Sequence, residues 1–331
     1  MQYVSLGRTG VMVSRLCMGT MTFGWEPDDW GNTKEESLVI GKKSLELGFN
    51  FFDTANVYAR GIGEEIVGEL LKPVRDRVIL ATKVYGRMSD DPNDWGTSRR
   101  HIIQQCEASL RRLGTDWIDL YQLHRPNPSV PIDETLRALD DLIRQGKVRY
   151  IGTSTFAAWQ LCEAHYIARE LGVNRFVSEQ PPYNLLDRRI ERELIPFCRT
   201  YNYAVLPWSP LAGGQLSGKY LGQPEEGRYA KSDPNRRVTA ETTEIVRKLK
   251  KLSDGLGLSL TTFSLAWLLH QPGVTAPIIG VRRVEQFDDL MKALTVKLDE
   301  ETLRAVDEII PPGAHVSDYY TANFGPNALP I

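Results

Sequence analysis

The chain has 331 residues, 42% hydrophobic and 25% charged, with 40 Lys plus Arg against 42 Asp plus Glu and a net charge of −2. This ordinary globular composition excludes disorder and coiled coil for the bulk, and it leaves no global positive field to hold nucleic acid or an anionic membrane. With no signal-like N-terminus, no apolar run near the about 20 residues that cross a bilayer, and four scattered cysteines (Cys17, Cys106, Cys162 and Cys198), the expectation is a cytoplasmic protein with reduced, buried thiols, no metal site, and one domain over residues 1–331.

Residues 1–14 read as two short strands around the turn Gly7-Arg8-Thr9-Gly10, a hairpin with no barrel role of its own. A first apolar, β-rich run covers 15–18, and an amphipathic stretch over 32–48 follows, closing on Gly48. The second run is 51–54. After it, Gly61-Ile62-Gly63-Glu64-Glu65-Ile66 lacks the last glycine of a G-x-G-x-x-G phosphate loop and reads as a plain loop and helix start. The third run, 78–82, precedes a helix over 98–114 with Ile102, Cys106, Ser109 and Leu113 on one face and Gly114 at its end. The fourth run, 117–120, precedes a helix over 132–146 that aligns Leu136, Leu139, Leu142 and Ile143. Runs at 148–152, 176–177, 204–207 and 276–279 complete eight, with helices over 157–172 and 187–201 between the first three of these. Residues 213–237 are rich in Gly, Pro and charge and read as a long mobile loop; such loops in folded domains are commonly functional. An extra helix over 298–310 leads to a tail with Tyr319, Tyr320 and Phe324, a candidate to close the site.

Brief continuous apolar runs alternating with helices favour a parallel sheet buried on both faces. Eight such units predict an α/β fold closed into a (β/α)8 TIM barrel, with the N-terminal hairpin and C-terminal helix as additions. An open doubly wound sheet is the alternative, disfavoured by the missing glycine motif.

Barrels of this kind collect chemistry where strands end and loops begin. The second strand ends at Asp53, with Tyr58 close behind; the third ends at Lys83 and the fourth at His124. A phenol titrates at about 10 and is a poor acid at neutral pH. A lysine ammonium beside it favours the phenolate, a carboxylate keeps that lysine charged, and an imidazole orients a carbonyl oxygen. The sum is a proton donor for a carbonyl receiving a hydride.

On these motifs the chain resembles the aldo-keto reductases, over nearly its whole length. Gly48-Phe49-Asn50-Phe51-Phe52-Asp53-Thr54-Ala55-Asn56-Val57-Tyr58, Ile79-Leu80-Ala81-Thr82-Lys83 and Leu120-Tyr121-Gln122-Leu123-His124 are similar to that family's signatures. The resemblance implies Tyr58 as general acid, Asp53 and Lys83 tuning it, and His124 orienting the substrate. It implies NADP(H), with NAD(H) as the alternative, lying across the barrel mouth, and transfer of the pro-R hydride of C4. Thr20, Met21 and Asp53 match its first contacts, Ser154 and Gln180 the carboxamide, and Trp208 the aromatic under the nicotinamide. Ser209, Leu211, Gly214, Lys219 and Arg228 match the loop around the pyrophosphate. Gly280, Arg282, Gln286 and Asp289 match the adenosine end, where Arg282 or Arg283 suits a 2′-phosphate. Gly152-Thr153-Ser154-Thr155-Phe156 departs from the G-V-S-N-F of many relatives and removes an amide from that turn. Trp208-Ser209-Pro210-Leu211-Ala212-Gly213-Gly214 is closer to bacterial reductases and potassium-channel β subunits than to mammalian aldose reductase.

The leading expectation is therefore an NADPH-dependent reductase of an aldehyde or ketone, with a small-molecule carbonyl as its partner. A cofactor-binding partner module of the channel β-subunit type is a second reading, and a Schiff-base aldolase using Lys83 a third. Trp25, Tyr85, Trp95 and Arg125 are the expected substrate rim.

Overall fold

The computed structural model describes residues 1–25, 31–222, 229, 233, 237–317 and 319. A two-stranded antiparallel hairpin, β1 (Tyr3–Ser5) and β2 (Met12–Ser14), precedes eight parallel strands. These are β3 (Cys17–Gly19), β4 (Phe51–Asp53), β5 (Ile79–Val84), β6 (Ile118–Leu123), β7 (Val148–Ser154), β8 (Ser178–Gln180), β9 (Ala204–Val205) and β10 (Ile278–Gly280). They are ordered β10-β3-β4-β5-β6-β7-β8-β9. The two ends of that row meet. Val205 bridges Val274, and the Ile278 N–H donates to the Pro207 carbonyl at 2.8 Å, so the sheet closes on itself. The expected (β/α)8 barrel is present.

All eight expected runs fall at or beside strands, and six of the strands extend further toward the mouth than expected, the exceptions being β4 and β9. The sixth expectation needs correction: Phe176 and Val177 lie just before β8, which pairs only from Ser178. Their apolar side chains are buried, Phe176 outside the barrel and Val177 within it, so burial marked them rather than pairing. The helices are α1 (Lys34–Glu46), α2 (Ile62–Leu71), α3 (Arg99–Leu113), α4 (Ile132–Arg144), α5 (Ala158–Leu171), α6 (Leu194–Tyr201), α7 (Ala240–Gly255), α8 (Leu260–His270), α9 (Gln286–Ala293) and α10 (Glu300–Ile309). Capping explains their limits. The Ser98 hydroxyl accepts from the His101 N–H at the start of α3, and Gly114 ends it in the left-handed region at φ 61°. The helix expected over 187–201 is shortened to α6 because Pro196 has no N–H to bond a preceding turn; a single 3₁₀ turn, Arg189–Glu191, stands before it.

Side-chain alternation sorts the strands into two layers. On β5, Thr82 faces outward, donating to Glu64 of α2 at 2.6 Å, and Glu64 also accepts from Arg112 of α3 at 2.7 Å. Its neighbours Ala81 and Lys83 face the barrel interior. That interior is filled by Cys17, Phe51, Ala81, Leu120, Ala204, Leu206, Ala276 and Ile278, joined by Leu6 and Val13 from the hairpin. The hairpin expected to have no barrel role is therefore its floor. Leu6 is 0% exposed, and Gly7 sits so close that a Cβ there would lie 2.7 Å from the Ala204 nitrogen.

Arg188 fastens the C-terminal helix from within. It is 3% exposed, donates to Asp307 and to the Ile310 carbonyl, both at 2.7 Å, and lies over the Trp267 ring. No single described helix is long and apolar enough to cross a membrane; α7 and α8 reach that length only together and are bent by 92° at their break.

Candidate active site

The mouth of the barrel is where the backbone is strained. Of the non-glycine residues at positive φ among those described, Ala59, Arg60, Thr155, Ser209 and Ala212 all lie on loops that leave the strand ends there. Left-handed conformations cost such residues about 1–3 kcal/mol each and persist where surrounding structure enforces them. The turn at Tyr58 is the sharpest: Ala59 (φ 45°), Arg60 (φ 55°) and Gly61 (φ 99°) follow one another before α2 begins.

This turn brings Tyr58 back over the end of β5. Lys83, fully buried, donates to the Tyr58 hydroxyl at 3.2 Å, to the Thr54 carbonyl at 2.9 Å, and to Asp53 Oδ2. Burial pulls the ammonium pKa down, but Asp53 and Tyr58 outweigh it and hold the group above its usual value. Asp53 Oδ1 accepts from Gln122 Nε2 at 3.0 Å and from Gln180 Nε2 at 2.9 Å, so both carboxylate oxygens are engaged. His124 stands edge-on to Tyr58, ring centroids 5.8 Å apart at 80°. Burial, then the charges of Lys83 and Arg125, push its pKa well below the usual imidazole value, so it is neutral at neutral pH. The four expected residues are thus assembled: a phenol with a cation behind it, a carboxylate behind the cation, and a neutral imidazole beside the phenol. That arrangement can deliver a proton to a carbonyl oxygen and orient it.

Gln122 received no role from the sequence. It faces Lys83 in the strand register and shares inward parity with His124, which is the signal that could have found it. Glu179 was missed too. Fully buried, it accepts from the Thr153 hydroxyl at 2.5 Å and the Phe156 N–H at 3.1 Å, fixing the turn that carries Ser154 and Thr155.

The residues expected around a dinucleotide line the same mouth. Thr20 is buried, its hydroxyl on the Asp53 carbonyl at 3.0 Å, and Met21 follows it. Ser154 donates to the Gln180 carbonyl at 2.9 Å. Trp208 is half-buried, with its Nε1 3.4 Å from the Thr155 hydroxyl. The Asn184 amide holds the Ser209 carbonyl at 3.1 Å, and the Leu211 carbonyl accepts from Gly214 at 2.8 Å. Lys219 folds back over Gly214, where a Cβ would lie 2.6 Å from its Cε. Instead of one long loop, this segment opens with 3₁₀ turns, Ala212–Ser217 and Lys219–Leu221. Arg228 lies outside the described residues. At the far end, Gly280 and Arg282 are exposed, and Gln286 Oε1 accepts the Arg282 and Arg283 N–H groups at 2.8 and 3.1 Å. Asp289 Oδ1 accepts from Ser259 and Thr262 at the start of α8, at 2.8 and 3.1 Å. A flat aromatic face, a glycine-rich turn with a lysine and an exposed arginine pair fit a nicotinamide, a diphosphate and a charged nucleotide end in that order.

Of the expected rim, Tyr85 and Trp95 meet edge to face at 6.1 Å, and Arg125 lies over the Trp208 ring and donates to the Thr155 hydroxyl at 3.1 Å. The Trp25 indole donates to the Met21 carbonyl at 2.9 Å. In the tail, Tyr319 is 1% exposed and packs on Trp208 with centroids 5.9 Å apart; Tyr320 and Phe324 lie outside the described residues. All four cysteines are unpaired; Cys162 is only half-buried, the others buried as expected.

Residues 15–311 match the model of the Aldo/keto reductase family. The chain belongs to that family. As an aldo/keto reductase it is an NAD(P)H-dependent oxidoreductase of carbonyl and alcohol groups. It is 42% identical to "Uncharacterized oxidoreductase YrpG" of Bacillus subtilis, over 97% of this chain and 99% of that one. It is 37% identical to a "Putative voltage-gated potassium channel subunit beta" of Schizosaccharomyces pombe, over 92% of each chain. It is 34% identical to "Versiconal hemiacetal acetate reductase" of Aspergillus parasiticus, over 95% of this chain and 98% of that one.

Proposed function

We propose that this aldo/keto reductase uses NADPH to reduce a small aldehyde or ketone, with Tyr58 as the proton donor. The observation that carries the reading is the Lys83 ammonium, 3.2 Å from the Tyr58 hydroxyl and itself held by buried Asp53. As a proton leaves Tyr58 for the carbonyl oxygen, negative charge develops on the phenol, and Lys83 stabilises it in a site shielded from water. Neutral His124 places an N–H beside that oxygen without competing as a strong acid. Asp53 keeps Lys83 charged, and Gln122 and Gln180 keep Asp53 oriented. Bound NADPH supplies the hydride to the carbonyl carbon. Trp208, Ser154 and Gln180 would hold its nicotinamide, Gly214 and Lys219 its diphosphate, and Arg282 or Arg283 its 2′-phosphate.

The chain works as one barrel domain over 1–331, since the N-terminal hairpin floors the barrel and Arg188 ties in α10. Four unpaired thiols support a cytoplasmic setting. The resemblance to a channel-subunit relative supports a second reading, a cofactor-binding partner with little turnover.

Absorbance at 340 nm with an aldehyde, ketone and quinone panel tests both. The expected outcome is NADPH consumption that falls about 10²–10⁴-fold in Tyr58→Phe while cofactor binding persists. Folded protein that binds NADPH and reduces nothing favours the second reading.

A further inference from the structure

Among the described non-glycine residues at positive φ, Thr155 is the only β-branched one. A branched Cβ suits the left-handed region worst, so at φ 63° this residue is held against its own preference. The restraint comes from the backbone around it. The Thr155 N–H donates to the Gln180 carbonyl at 3.1 Å, and the next N–H, of Phe156, to Glu179 Oε1 at 3.1 Å. Strain enforced by neighbours at a site points to a task for the strained residue. Thr155 is fully buried, and its hydroxyl oxygen lies 3.1 Å from Arg125 Nη1, 3.4 Å from Trp208 Nε1 and 3.4 Å from the Ser154 hydroxyl. Ser154 donates its own proton to the Gln180 carbonyl at 2.9 Å, so toward Thr155 it can only accept. Thr155 therefore accepts from Arg125 and Trp208 and donates to Ser154, which uses the whole capacity of one hydroxyl.

We infer that Thr155 is a positioning residue whose hydroxyl clamps Arg125 and Trp208 to the Ser154 turn and so keeps the nicotinamide face in register with His124 and Tyr58. The inference rests on the reductase reading. Its physical basis is that three strand ends meet at one oxygen. Arg125 follows β6, Thr155 follows β7 and Trp208 follows β9. Arg125 Nη1 also donates to the His124 carbonyl at 2.8 Å, so the clamp reaches the backbone that carries the imidazole. On the other side, Gln180 joins the turn to the proton donor: its Nε2 donates to Asp53 Oδ1 at 2.9 Å, and Asp53 holds the Lys83 that faces Tyr58. The indole N–H is the one polar handle of Trp208, and the Arg125 bond is charge-assisted and directional. Removing one oxygen loosens both at once. A small misplacement of reacting groups costs rate more than affinity. On the proposed reading the diphosphate and adenosine of NADPH lie at Gly214, Lys219 and residues 280–289, so its affinity should barely change.

The test compares wild type, Thr155→Ser, Thr155→Val, Arg125→Lys and the Thr155→Val/Arg125→Lys double variant, with NADPH and 4-nitrobenzaldehyde. The main readout is the single-turnover rate of NADPH oxidation, a first-order constant that does not depend on how much of the enzyme is folded. Thr155→Val keeps the branched shape and removes the oxygen; this rate should fall at least about tenfold while Kd for NADPH stays within about threefold. Thr155→Ser keeps the hydroxyl and should stay within about twofold of wild type. Arg125→Lys keeps the charge but loses the planar fork and should slow the same step, so the inference is still tested if Thr155→Val does not fold. The double variant should be no worse than the worse single one. Amide exchange at 124, 125, 155 and 156 should quicken at least about tenfold in Thr155→Val but not in Thr155→Ser. An unchanged rate in Thr155→Val, an equal loss in Thr155→Ser, or additive losses in the double variant would each overturn the inference. Wild type that binds NADPH and reduces no carbonyl overturns the reductase reading; the exchange result then still decides whether Thr155 clamps the three strand ends.

Discussion

The Glu179 carboxyl lies beneath the turn that carries Ser154 and Thr155, and burial pushes its pKa up to about 8 against the bonds from Thr153 and Phe156. An unfolded glutamate titrates at about 4.3. With the folded value raised, its stabilising contribution is fully present below about 4.3 and is lost as pH rises through about 8. Glu179→Gln, neutral at every pH, should therefore gain Tm relative to wild type between pH 5 and pH 8.5, followed by thermal melts across that range; a constant difference would show that the carboxyl is ionised throughout. His124 shifts the other way. Its pKa, depressed by burial and then by Lys83 and Arg125, lies well below the usual imidazole value. The profile of kcat/KM should carry no limb near the usual imidazole value, and a limb there that vanishes in His124→Gln would contradict the neutral assignment.

Among the elements, the hairpin departs furthest from its expected place. Its strands are three residues each, too short to be stable alone, and the sequence offers no sign that Leu6 and Val13 enter the barrel. The long helices were legible because caps and periodicity are local: Ser98 and Gly114 bracket α3, and Gly172 ends α5 in the left-handed region. The short barrel strands were legible in number but less so in extent, since burial spreads beyond the few residues that pair. Phe176 and Val177 show this at β8. If the hairpin is the floor, its residues matter for stability and not for chemistry. Leu6→Ala should cost about 2–5 kcal/mol by opening a cavity in the barrel. Gly7→Ala, at φ 57° and against the Ala204 nitrogen, should cost more than about 1 kcal/mol. Urea unfolding measures both, and kcat for the remaining folded enzyme should stay within about twofold of wild type, because the floor is at the opposite end from Tyr58.

At the scale of the whole molecule, two kinds of information were unequally visible. Asp53, Tyr58, Lys83 and His124 each lie in or just after a recognisable strand, so topology alone assembles them at one mouth. Glu179 has no such marker; only the pairing of β7 with β8 brings it to Thr153. Charge is also a global matter. A net charge of −2 gives no long-range pull on an anionic dinucleotide, so any selection of NADPH over NADH would have to come from a local feature. On the proposed reading that feature would be the exposed pair Arg282 and Arg283, just before α9, its backbone held by Gln286 and, through the Arg282 carbonyl, by the Asn32 amide at 2.9 Å. A charge-assisted bond to a phosphate is worth about 1.5–3 kcal/mol, or roughly 10- to 100-fold in affinity. Arg282→Ala/Arg283→Ala should weaken NADPH by about that factor, leave NADH within about twofold, and flatten the salt dependence of NADPH binding, all read by fluorescence titration. Equal weakening of both dinucleotides would assign the pair to the shared diphosphate or to the fold. Loss confined to NADPH, and shrinking as salt rises, would locate the 2′-phosphate at the start of α9 and show that a nearly neutral protein chooses its cofactor through a single pair of side chains.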